Sequence, residues 1–146
     1  MAAITRKTAL AKISRAHDIV AELDDLHHRV VMIRHGAVEV PVGKRTGWHG
    51  RCRWCQKTTW LQVSHILPKG RVPSLRWDSE NAFALCAGCH LYRWHKNPVE
   101  SAAFAQKELG PRLEALKSRA QNPKKRDPEL SRLTLQLELR ALEKKR

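Results

Sequence analysis

Two cysteine pairs, Cys52-x-x-Cys55 and Cys86-x-x-Cys89, account for all four cysteines of the chain and are separated by 30 residues. This spacing constrains the fold more than any other feature. Two such pairs close a tetrahedral site of the structural zinc type, and each pair forces a tight backbone turn. A structural Zn(II) at Cys52, Cys55, Cys86 and Cys89 contributes ~10–16 kcal/mol of apparent binding energy to folding. That matters here because aromatic residues make up only 5% of the 146-residue chain, too few for one large packed core. Free or redox-active thiols are the weaker reading of the four cysteines, and disulfides the weakest in a reducing compartment.

The chain carries 28 Lys/Arg against 14 Asp/Glu, a formal charge of +14. A polyanion is therefore the expected partner, nucleic acid ahead of an anionic membrane surface. No stretch approaches the roughly 18 apolar residues of a spanning helix, so a membrane is not expected. The opening MAAITRKTALAKISRAHD is too polar for a secretory signal. It has the basic bias of a transit peptide, and equally that of an amphipathic helix. A cytoplasmic location is the expectation.

Three segments follow from the pattern. Residues 1–49 hold an N-terminal helix and an extended arm. Leu10, Ile13, Val20, Leu23, Leu26, Val30 and Ile33 recur at helical steps over residues 8–34. The histidines on that helix, His17, His27 and His28, are read as solvated or packing residues. Gly36 ends the helix, and Val38, Val40 and Val42 alternate around Pro41 as an edge strand or extended arm. Residues 50–97 hold both cysteine pairs and are the most basic third per residue, with eight Lys/Arg against two acids. Residues 98–146 form a helical extension. Asn97, Pro98 and Glu100 spell a capping box, Gly110 stops that helix, Pro111 starts another, and Asp127-Pro128 caps a last one. Leu133, Leu135, Leu137 and Leu139 alternate as in a strand, but the surrounding residues are strong helix formers, so helix is expected. Leucines spread that widely around a helix suit packing against two neighbours or a second subunit.

Between the cysteine pairs, residues 60–66 read as a strand, so Ser64 and His65 point to opposite faces. Asn81 and His90 follow, the latter fixed by the turn of the second pair. His65, Asn81 and His90, in the frame SHILPKG, SENAFALCAGCH, resemble the HNH endonucleases of the ββα-metal, or His-Me finger, superfamily. The similarity is greatest to phage recombination nucleases of the NinG type, and it covers residues 50–97. It implies an α+β fold, a small zinc-stapled ββα-metal finger flanked by N-terminal and C-terminal helices. It also implies a metal-dependent DNA endonuclease acting on duplex or branched DNA, in phage DNA recombination or processing. By that resemblance His65 is the general base, Asn81 holds the loop that orients it, and His90 binds a catalytic divalent ion, Mg(II) or Mn(II), with Zn(II) or Ni(II) as further options. Many members place Asp or His just before the base as a second ligand; this chain has Ser64, a poor anchor for such an ion. His95 is set aside because five residues along a straight α-helix turn a side chain by about 140°; Asp78 is another candidate. Lys69, Arg71, Arg76, Arg93 and Lys96 bracket the site and are expected to contact phosphates. The tryptophans around the cysteines are expected to pack. A two-fold homodimer would suit cleavage of both strands. The rival readings are a non-catalytic zinc-finger module that binds nucleic acid and a helical assembly protein.

Overall fold

The computed structural model describes residues 6–146. The first five residues of the N-terminal basic stretch lie outside them, and the remainder of that stretch is helical. The fold is α+β. The chain runs α1 (Arg6–Arg34), β1 (Val38–Val42), β2 (Arg45–Arg51), β3 (Thr58–His65), β4 (Ala82–Cys86), a π-helical turn (Cys89–Trp94), α2 (Pro98–Leu109), α3 (Pro111–Gln121) and α4 (Pro128–Glu143). The strands form one antiparallel sheet in the order β1-β2-β3-β4. Among the described residues no helix is long and apolar enough to cross a membrane.

The ends of α1 and of the first hairpin follow from glycine. At Gly36 φ is +74°, its N–H donates to Ile33 O, and Ala37 N–H donates to Met32 O, which closes the last turn as a Schellman motif. Gly43, at φ +60°, opens the two-residue turn between Val42 and Arg45. The boundary expected at residue 49/50 falls inside β2, because His49, Gly50 and Arg51 pair continuously with β3. The arm before the cysteines is thus an integral half of the sheet, with β1 and its Pro41 on the open edge.

The main core lies between the sheet and α2 and α3. Phe83, Trp94, Trp54 and Phe104 interlock there, Trp54 stacking on Phe104 with centroids 4.5 Å apart. A second cluster joins α1 to α4 through Leu23, Val30, Leu135 and Trp77. The last segment is helical despite its strand-like alternation, since Asp127 accepts hydrogen bonds from Glu129 N and Leu130 N at its start. Leu135 faces α1, and Leu139 and Leu142 touch both clusters, whereas Leu130, Leu133 and Leu137 stay exposed. Beyond α4's reach, residues 10–18 of α1 are exposed on every side, Leu10 and Ile13 included.

One local expectation changes. α2 begins at Pro98 as read, but Asn97 makes no side-chain cap. Arg93 takes the Glu100 carboxylate, and the amide of Asn97 turns back to Tyr92 O, so the capping box is dismantled by the ion pair. Ser101 supplies a different lock, its single hydroxyl proton shared between Trp94 O and Asn97 O at 2.8 and 2.9 Å.

Candidate functional site

The cysteine knuckles bring Cys52, Cys55, Cys86 and Cys89 together, with all four Sγ atoms within 4.8 Å of one another. Gln56 follows the first pair at φ +63°, a left-handed position held by a hydrogen bond from its side chain to Arg53 O. Cys52 and Cys89 are buried, and the amides of Cys86 and Cys89 donate to Cys52 Sγ and Cys86 Sγ. A tetrahedral thiolate site with bonds of about 2.3 Å has edges of about 3.8 Å; Cys55 Sγ and Cys86 Sγ are 3.8 Å apart. The four cysteines are positioned to hold a metal ion.

The second cysteine pair leads directly into the π-helical turn, and this turn carries His90. Its wider winding closes hydrogen bonds from residue i to i+5, so side chains five apart come onto one face. His95, set aside on the assumption of a straight α-helix, therefore lies beside His90, with ring centroids 4.9 Å apart. Trp94 in the same turn donates to His65 O, which ties the turn to the end of β3.

His65, His90 and His95 line one cavity of about 530 Å³, together with Asp24, His27 and His28 of α1, Gln62 of β3 and Lys69. The hydrogen bonds distinguish the ring nitrogens. His65 Nε2 lies 3.1 Å from Arg76 O, a pure acceptor, so Nε2 carries the proton and Nδ1 keeps a free lone pair. His90 Nδ1 lies 2.9 Å from Gln62 Oε1 and donates to it, which leaves Nε2 as the free donor atom. Burial lowers the pKa of His65, the hydrogen bond to Arg76 O opposing it in part. Burial also lowers that of His90, with His95 and His65 adding repulsion. Both shifts favour the neutral imidazole.

Asn81, fully buried, clamps the loop after β3. Its Oδ1 accepts from Leu67 N at 2.7 Å, and its Nδ2 donates to Leu67 O and Leu75 O. The loop that leaves His65 and returns to β4 is thereby stitched to one side chain.

Other sequence candidates fall elsewhere. Ser64 is fully buried on the face of β3 away from His65, its hydroxyl without a hydrogen-bond partner, and does not line the cavity. Asp78 spends its carboxylate on Glu80 N and Arg119. Of the five cations, Lys69 lines the cavity and Arg71 is exposed in the same loop. Arg76 is closed into a two-point pair with Asp24. Arg93 lies over Trp54 and binds Glu100, lining a separate cavity of about 680 Å³ beside α2. Lys96 sits over the Tyr92 ring. The residues missed by sequence reasoning are Asp24, His27, His28 and Gln62. The three on α1 had one sequence signal, the polar run DDLHH at residues 24–28 within a helix whose other steps are apolar, and Gln62 on β3 had none.

The fold and site define a small α+β protein in which a four-cysteine metal centre braces a histidine-lined cavity. The chain matches no protein-family model, no curated protein and no solved structure.

Proposed function

We propose that this chain is a metal-dependent endonuclease of the HNH type that hydrolyses DNA phosphodiester bonds, with Zn(II) in the four-cysteine site. The observation that carries this reading is the shared cavity in which His65 and His90 present unlike free nitrogens. The strand–strand–helix order of β3, β4 and the π-helical turn supports it. His90 Nε2 and a nitrogen of His95 would hold the catalytic ion. Asp24, the carboxylate lining the cavity, is committed to Arg76 and Trp77. A donor set of imidazoles favours Ni(II) or Zn(II) over the hard Mg(II). When bound, the ion supplies positive charge to the scissile phosphate and the departing oxygen.

The remaining work belongs to the chain. His65, neutral and with Nδ1 free, takes the proton from the attacking water. Its Nε2–H bond to Arg76 O fixes the tautomer that makes this possible. Lys69 offers a cation to the phosphate at the rim. Asn81 holds the intervening loop.

The test is cleavage of supercoiled plasmid by zinc-loaded protein with Ni(II), Mn(II), Zn(II) or Mg(II) added singly. Cleavage that falls by about 10²–10⁴-fold in His65→Ala, with DNA binding retained, is the expected result. Binding without cleavage under every ion would favour the non-catalytic zinc-finger reading. Comparison of linear, nicked and four-way duplexes then identifies the substrate form.

A further inference from the structure

The base proposed above hangs on a segment that α1 grips from outside the cysteine-braced region. His27 is 3% exposed, and its ring lies 5.3 Å from that of His65 with 20° between the planes. His27 Nε2 lies 3.2 Å from Asp78 O, while His65 Nε2 lies 3.1 Å from Arg76 O. Both rings therefore donate to carbonyls two residues apart in one loop. One turn earlier on the same helix face, Asp24 accepts from Arg76 Nε at 2.9 Å, Arg76 Nη2 at 2.6 Å and Trp77 Nε1 at 2.9 Å. Residues 76, 77 and 78 are each held by a side chain of α1.

We infer that His27 is a positioning residue for His65, acting with Asp24 to fix the plane and tautomer of that imidazole. This inference rests on the reading of His65 as the base. A leucine would fill the space on this stripe of α1, as Leu23 and Val30 do nearby. Histidine adds two things there: a flat ring against one face of His65, and a donor for Asp78 O. Without the ring, His65 regains rotation about its ring bond and can exchange Nδ1 for Nε2 at Arg76 O. Without the donor, α1 holds residues 76 and 77 of the loop but no longer residue 78. Asp24, His28, Lys69, Arg76, His90 and His95 are the other ionisable groups around the pair. Burial, reinforced by His65, pushes the pKa of His27 down to about 4, so the stacked partner stays uncharged beside the base.

The experiment separates ring from donor. His27→Phe keeps the stack, His27→Gln keeps a donor, and His27→Ala loses both. On a defined duplex, His27→Ala should lose about 10- to 100-fold in kcat with KM unchanged, because a misplaced base slows chemistry without touching substrate affinity. His27→Phe and His27→Gln should each recover part of that loss, at wild-type zinc content. In parallel, nitrogen-15 spectra of the histidine rings should show a single Nε2–H tautomer for His65 in the wild type and a mixture in His27→Ala. Unchanged kcat together with an unchanged His65 tautomer would overturn the inference, as would a rise in KM alone. A wild-type protein that cleaves nothing sinks the nuclease reading, while the ring spectra still decide whether His27 fixes His65.

Discussion

His65 shows how a short polar residue set becomes a site through its partners. Burial holds its pKa below the ordinary 6.5, so its free base form persists as pH falls through 6.5. Cleavage should decline only below that value, with the acid limb absent from residual activity of His65→Ala; an acid limb centred at pH 7 or above would contradict this. Asn81 is a stability prediction. Replacing it with Ala removes the partners of the part-buried Leu67 N–H and Leu67 O and of the buried Leu75 O, at roughly 2–4 kcal/mol, read as a lower urea midpoint. The positions of His65, Asn81 and His90 in one local arrangement were legible because strand, loop and cysteine turn follow each other within 26 residues. Asp24 and His27 were not, since they lie some 50 residues from their partners and a polar run on a helix reads equally well as a solvated face. Arg76 and Arg93 looked free for the same reason: nothing in their neighbourhood announces Asp24, or says that Glu100 will leave its helix cap.

The π-helical turn is the element that most changes the chemistry on offer. Helical periodicity is read from sequence at 3.6 residues per turn, and on that scale His90 and His95 diverge. The knuckle before the turn and the ties of Trp94 to His65 O and Ser101 to Trp94 O bound it on both sides. Gln62 then orients His90 from β3, so Gln62→Ala should weaken binding of the second divalent ion about 10- to 100-fold in calorimetry of zinc-loaded protein. An unaltered affinity would remove His90 from the ligand set. At the other end of the helix that frames the cavity, Gly36→Ala places a Cβ on a residue at φ +74°. Nothing crowds that position, so only backbone strain of about 1–2 kcal/mol is expected, measurable by denaturant unfolding. The start of α4 was readable because Asp-Pro capping is local, whereas the side of it that would be buried depended on where α1 lay.

For the whole molecule, the cysteine centre and α1 brace the cavity from two directions. Cys52 and Cys89 belong to the main core as well as to the metal cluster, so chelation should collapse packing and secondary structure together, seen as loss of near- and far-ultraviolet dichroism. Stability should also fall on acidification. His27 titrates near 6.5 when unfolded and near 4 when folded, so the unfolded state takes up more protons below pH 6.5. The penalty grows from there to about pH 4 and reaches about 3 kcal/mol, and it should shrink in His27→Phe. The cysteine spacing made the four-cysteine cluster legible, and the α+β class came with the resemblance of the segment around it; the continuation of the sheet across residue 50 was hidden, because strand pairing is set by partners rather than by segment boundaries. The exposed stretch of α1 at residues 10–18 carries a further consequence. With residues 10–18 all exposed, their amides should exchange within seconds, protection rising stepwise from Ile19 to a plateau near Val30, and a protease should trim the chain back to that threshold and stop.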